Sequence, residues 1–374
     1  MNDEISMAAP DLQPEDEEAV LEVLRSGRLG WGPRAEEFEA ALAGYVGTQH
    51  AVAVSSGTAA LHLIVRALGL GPGDEILLPS FTFAACVNAI LYERATPVFV
   101  DINPETFNLD PADLENRISS RTRAVLAVDI FGQPANWDAI LDIASRHDLR
   151  VIDDCCEALG AEYKGRKVGS FGDAGAFAFY PNKQITTGEG GMIVTDNAEL
   201  AMLTRALRNQ GREEGKAWLD HQLLGYNYRL DEMSAALGVS QLRRIEEFVV
   251  RRAAVAEQYT ERLKQFDWVR PPVVVPDVRM SWFLYVVILD EKIDRAQVMD
   301  SLAAQSIPTR VYFPPLHLQS YMQPYVDRDQ RLPVTEDVAT RSLALPFHAK
   351  LTEGQVERAV AVLSKAVNEQ QRRR

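Results

Sequence analysis

Apolar residues recur along the chain in two alternating rhythms. Short runs with β-type character occur at Ala51 to Ser55, Glu75 to Leu78, Pro97 to Val100, Ala124 to Val128 and Val151 to Asp154. Between them lie stretches of helical period, marked by Leu61, Ile64, Val65 and Leu68, then Ala84 to Tyr92, Asp113 to Ile118 and Trp137 to His147. Strand-then-helix order with short connections predicts a mostly parallel sheet covered on both faces. Two further helices precede it, one with Pro14 in its first turn and one carrying Phe38, Leu42 and Tyr45.

From Asp231 helical pattern resumes, and Ser234 to Phe266 reads as one long helix or two joined near Phe248. The remainder predicts a smaller α/β set: a strand at Phe283 to Leu289, a helix at Arg295 to Ala304, a strand at Thr309 to Tyr312 and a helix from Thr352. The expected organisation is a large domain over 1–248 and a small one over 249–374.

One stretch, FAFYPNKQITTGEGGMIVT (Phe177 to Thr195), places a lysine between two strand-like runs. The glycines 188, 190 and 191 allow backbone to pass close to a bound group. A lysine held between apolar runs loses part of its charge by desolvation, as the amine must before it acts as a nucleophile near neutral pH. Lys183 is therefore a Schiff-base candidate, against the alternative of a solvated loop lysine.

In parallel sheets ligands bind beyond the carboxyl ends of strands. Three such ends carry polar or aromatic candidates: Asp153 and Asp154 closing VIDD, Thr82 and Phe83 after the second strand, and Ser56-Gly57-Thr58 after the first. The last of these is a capped turn or an anion site at a helix start, and no Gly-Lys-Ser/Thr phosphate loop is present. Side chains alternate along a strand, so Asp153 and Asp154 cannot both face one ligand.

Composition narrows the classes. A formal charge of -14 over 374 residues argues against nucleic acid as a partner. Three cysteines, two of them adjacent, make no disulfide framework and share no metal-ligand spacing with the six histidines. The acidic N-terminus does not read as a secretory signal and no run is long enough to span a bilayer, so a cytoplasmic location is expected.

Eight motifs in order, SGRLGWGP, SSGTAALHL, GPGDEILLPSFTF, FVDINPETFNLD, VIDDCCEALGA, NKQITTGEGG, GYNYRLDEMSAALG and PPLHLQ, resemble the DegT/DnrJ/EryC1/StrS family over nearly the whole chain. The resemblance implies a fold-type I pyridoxal 5'-phosphate aminotransferase, with a mostly parallel seven-stranded sheet, a smaller C-terminal α/β domain, and a homodimer whose active sites lie between subunits. Lys183 would form the Schiff base and then carry the proton. Asp154 would pair with the pyridine nitrogen, Phe83 stack on the ring, and Gly57 and Thr58 contact the phosphate. Glu157 stands near the ring hydroxyl, where relatives often have glutamine, and Asn227 would reach the partner subunit's phosphate.

Two positions depart from the pattern. Ala178 occupies a place often held by a phosphate-binding serine, for which Thr186 or Asn182 would compensate, and Asp129 occupies a place often held by histidine. On the substrate side the resemblance implies Trp31, Arg229, Tyr312 and His317, with Arg229 steadying its loop or touching substrate. The implied substrates are a nucleotide-linked keto sugar and glutamate, and NQGREEGKAW with GYNYRLDEM leans toward perosamine-type 4-aminotransferases. The alternatives are a 3-keto sugar or aminocyclitol enzyme, the sugar 3-dehydratase branch that Lys183 argues against, and a catalytically silent sensor or scaffold.

Overall fold

The computed structural model describes residues 5–213, 215, 220–327 and 329–373. Its centre is a seven-stranded sheet: β1 (His50–Val54), β2 (Glu75–Pro79), β3 (Thr96–Val100), β4 (Thr122–Val128), β5 (Arg150–Asp154), β6 (Ala174–Ala178) and β7 (Gly191–Thr195), in the order β1-β7-β6-β5-β4-β2-β3. Pairs β3/β2, β2/β4, β4/β5 and β5/β6 are parallel, and β7 runs antiparallel to both neighbours.

Alternation along each strand divides the core between two faces. On β5, Val151 packs with Trp137 and Ile140 of the helix Trp137–Arg146. Ile152 packs with Leu61, Ile64 and Val87 on the other side. Asp153 and Asp154 continue this alternation, so the strand delivers one carboxylate to each face.

The joint expected near Phe248 lies at Arg243 and Arg244, which separate the helices Glu232–Leu242 and Ile245–Leu263. The second helix crosses the anticipated boundary at 248/249 without interruption. Its Phe248 and Val249 join the cluster on one face of the large sheet, whereas Val255, Tyr259 and Leu263 join the cluster that runs from the other face of that sheet into the second sheet. Residues 5–7 also pack with the C-terminal part, through the Phe347 N–H to the Met7 carbonyl.

The C-terminal sheet is antiparallel: β8 (Val269–Arg270), β9 (Tyr285–Leu289) and β10 (Ser342–Leu345). The strand expected at Thr309 to Tyr312 reduces to one bridge, Arg310 with Ala344. Pro314 and Pro315 follow, and proline cannot donate to a ladder. Among the described residues no helix is long and apolar enough to cross a membrane.

Candidate active site

The loop from β6 to β7 pins Lys183. Its ends close on each other, Phe179 N–H to the Gly190 carbonyl at 3.0 Å and Thr187 N–H to the Phe179 carbonyl at 2.9 Å. Lys183 N–H then donates to the Tyr180 carbonyl at 2.9 Å. At the start of β7 a Cβ on Gly191 would lie 2.3 Å from the Ser56 carbonyl oxygen, so glycine is what lets the lysine loop meet the β1 turn.

The lysine side chain is 14% exposed. Its Nζ stands 4.0 Å from the centre of the Phe283 ring and 3.9 Å from Glu157 Oε1. Arg252, buried on the helix Ile245–Leu263, donates to the Lys183 carbonyl at 3.1 Å and to the Trp282 and Phe283 carbonyls. One guanidinium thus ties the lysine to the aromatic ring it faces. Burial lowers that guanidinium to about 10.

Asp154 is buried at the end of β5. Its Oδ1 accepts from the Cys156 N–H at 3.0 Å and its Oδ2 from the Cys86 thiol at 2.9 Å. Burial and the Asp154 charge push both thiols well above the ordinary thiol range, so each is a donor and not a nucleophile. Glu157 is also buried and accepts from the Phe131 N–H at 2.9 Å. Burial raises its carboxyl, with the charge of Lys183 opposing and that of Asp154 reinforcing.

Beside them, Ser56 caps the helix Gly57–Ala67 by accepting from the Ala59 N–H at 3.1 Å. The first N–H groups of a helix have no intrahelical acceptor, and here they belong to Gly57 and Thr58. A Cβ on Gly57 would lie 2.7 Å from Ala178 Cβ and 2.9 Å from Cys156 Sγ, so the helix start sits directly on the lysine strand and the Asp154 turn. Thr186 does not stand in for a serine at Ala178, because its hydroxyl donates to the Phe179 carbonyl and accepts from the Gly188 N–H. Asn182 keeps a buried side-chain oxygen without a partner among the described residues.

Phe83 is 62% exposed, whereas Phe81, two residues before it, is buried against Phe107, Phe131 and Phe313. The Phe83 carbonyl accepts from the N–H of Cys86, the residue whose thiol holds Asp154, so the open ring and the carboxylate share one short turn. Asn227 is exposed, on a segment held beside β1 by the Ser55 N–H to the Tyr228 carbonyl at 2.8 Å.

The expected substrate residues separate into three places. Trp31 and Arg229 line a cavity of about 870 Å³ together with Arg205, Arg208 and Asn209, and Lys183 is not among its walls. Arg208 stacks on Trp31 at 3.8 Å from the ring centre, and Arg229 donates to the side chains of Asn209 and Gln210. Tyr312 lies near Glu157, whose charge adds to burial in raising its hydroxyl.

His317 departs from the expectation of a substrate-facing imidazole. Its side chain is 2% exposed, Nδ1 meets Ser80 Oγ at 2.7 Å and Nε2 meets Glu336 Oε1 at 3.3 Å. Both ring nitrogens are spent on fixing the turn after β2. Of the NQGREEGKAW stretch, residues 214 and 216–218 lie outside the described residues.

Arg252, Phe283 and Cys86 were not singled out by the sequence. Arg252 left a trace: it falls on the apolar stripe Phe248, Val255, Ala256, Tyr259, where a charge needs buried partners.

The DegT/DnrJ/EryC1/StrS aminotransferase family profile matches residues 10–364. GDP-perosamine synthase of Caulobacter vibrioides is 41% identical over 368 residues, covering 97% of this chain and 98% of that protein. A dTDP-3-amino-3,4,6-trideoxy-alpha-D-glucose transaminase of Streptomyces venezuelae is 38% identical, covering 96% and 93%. The aminotransferase TlmJ of Streptoalloteichus hindustanus superposes with a TM-score of 0.93 at 32% identity, covering 98% and 99%.

Proposed function

From the premise that this chain belongs to the DegT/DnrJ/EryC1/StrS aminotransferase family, whose members depend on pyridoxal phosphate, we propose that it moves an amino group from glutamate to a nucleotide-linked 4-keto-6-deoxy sugar. The observation that supports this reading is the meeting of Lys183, Asp154 and Glu157 at the carboxyl ends of the sheet, beside the Gly57 helix start. The preference for a 4-keto sugar rests on the GDP-perosamine synthase relative. The 3-amino product in the Streptomyces venezuelae relative's name makes a 3-keto sugar the second reading.

The residues present fit the cofactor. The Gly57 cradle has no room for a Cβ, an open aromatic face stands at Phe83, and a buried carboxylate is already oriented by two donors. When bound, the cofactor supplies an aldehyde that takes up amines and a ring that accepts electrons. Lys183 would hold the aldehyde and would carry the proton at Nζ. Asp154, oriented by the Cys156 N–H and the Cys86 thiol, would pair with the ring nitrogen. Gly57 and Thr58 offer N–H groups to the phosphate, and Phe83 excludes water from one ring face. Exposed Asn227 serves the site of a second copy, so the working unit is a homodimer.

A panel of GDP-, dTDP- and UDP-linked 3-keto and 4-keto sugars with glutamate, read by mass spectrometry, tests the reading. Amination of a 4-keto sugar with stoichiometric 2-oxoglutarate is expected. Amination confined to 3-keto sugars would move the assignment to the second reading, and no amination of any would end it.

A further inference from the structure

On the face of β5 opposite Asp154, the side chains of Asp129, Asp153 and Cys155 are wholly buried and their ligating atoms lie within 4.8 Å of one another. Three of the four carboxylate oxygens have donors. Asp129 Oδ1 accepts from the Ala135 N–H at 2.7 Å and the Trp137 indole at 3.2 Å. Asp153 Oδ1 accepts from the Cys155 thiol at 2.8 Å and Oδ2 from the Gly169 N–H at 2.7 Å. The fourth oxygen, Asp129 Oδ2, is buried with no partner among the described residues.

Two ionised carboxylates cannot share a dry site without a counter-charge. The titratable groups bearing on the pair are Cys155 and Asp154, and neither is a cation. Charged groups on the adjoining segments are engaged elsewhere: Asp138 with Lys164, Lys167 with Glu162 and Glu246, Asp173 with Arg150, and Glu157 toward Lys183. A metal ion fits poorly, because the thiol is a donor and one open oxygen makes no chelate. A single proton between the carboxyls satisfies every lone pair that matters.

We propose that Asp129 and Asp153 share one proton, and that this proton holds the turn 130–133 in the geometry that sets Glu157 and Phe283 around Lys183. The turn needs holding, because Phe131 sits at φ +56°, a region a bulky side chain rarely occupies. Asp129 anchors both its ends, through its N–H to the Asp154 carbonyl and its Oδ1 to the Ala135 N–H. From the turn, the Phe131 N–H reaches Glu157, and the Phe131 carbonyl accepts from the Phe283 N–H at 2.9 Å. Glu157 and Phe283 are the groups nearest the lysine amine. Asp129 and Asp153 are thus positioning residues.

Burial pushes the Asp129 carboxyl well up and the Asp153 carboxyl to about 7. A carboxyl raised on folding keeps its full stabilising effect at low pH and loses it as pH rises through the raised value, so loss of the shared proton falls on the alkaline side.

Infrared difference spectroscopy on the holoenzyme at about pH 7.5 should show the carbonyl stretch of a buried protonated carboxyl, absent from both Asp129→Asn and Asp153→Asn. Absence of the band from the wild type, or its survival in both variants, overturns the shared proton. This arm is independent of the role given to Lys183. For positioning, wild-type turnover should fall about fivefold or more between about pH 7.5 and about pH 9, while Asp129→Asn, whose amide donates permanently, falls less than about twofold. An equal fall in both overturns the positioning role. Should Asp129→Asn fail to fold, Asp153→Asn carries the same comparison, since its amide donates to Asp129.

Discussion

The surroundings of Lys183 and the cavity beside Trp31 are built on different principles. Around the lysine the charged groups are closely held: Asp154 by two donors, Glu157 by the Phe131 N–H, and the lysine backbone by Arg252. Around Trp31 the walls mix four arginines with Glu199, Glu213, apolar side chains and a half-buried indole, enclosing about 870 Å³. On the proposed function, the contrast separates chemistry from recognition. Proton movement needs groups fixed to a fraction of an ångström, whereas holding a large anionic substrate needs room and positive charge. In a chain of formal charge -14, the cavity gathers four arginines against two glutamates in its lining.

Three substitutions sharpen or break this contrast. Lys183→Ala should lower turnover by at least about 10³-fold while the protein stays folded, because it removes the nucleophilic amine. Steady-state kinetics with circular dichroism checks this, and turnover within about tenfold of wild type would show that the lysine region is not the reacting one.

Arg252→Met should come next. It leaves three buried carbonyls, those of Lys183, Trp282 and Phe283, without their donor, and should cost about 3 kcal/mol of stability. Urea unfolding measures that cost, and kcat should fall about tenfold as the Lys183 carbonyl loosens from Phe283. Unchanged kcat in a destabilised protein would make Arg252 a structural residue only.

The smallest effect is expected from Arg229→Ala. KM for the keto sugar should rise about tenfold with kcat within about threefold, the pattern of lost uniform binding. A drop in kcat matching that of Arg252→Met would erase the division between the two regions.

Much of this organisation is legible in the chain itself. The parallel strands announce themselves as apolar runs because helices cover both faces, and Lys183 is conspicuous because a β-run, a proline and three glycines frame it. Strand alternation said that Asp153 and Asp154 face opposite ways and the family resemblance picked Asp154, and the structure sends the side chains of Asp154 and Asp153 to Cys86 and Cys155 respectively. His317 shows where such reading stops. A histidine in a loop looks available, yet its two nitrogens meet Ser80 and Glu336, residues 237 and 19 positions away. The joint between the long helices likewise lies at Arg243 and Arg244, four to five residues before the expected Phe248, although Leu242 and Ile245 on its two sides pack in the same cluster.

The order of amino acids by itself determined the layered sheet, the turn at Ser56-Gly57-Thr58, and which strand ends bear reactive groups. All of these follow from local backbone preference and side-chain period, which act over a few residues. Only the folded arrangement decided that Arg252 clamps the lysine loop, that Asp129 meets Asp153, and that Trp31 and Arg229 share a cavity apart from Lys183. Those pairings join segments 24 to 198 residues apart, and at such separations packing and the need to satisfy buried charge choose the partner.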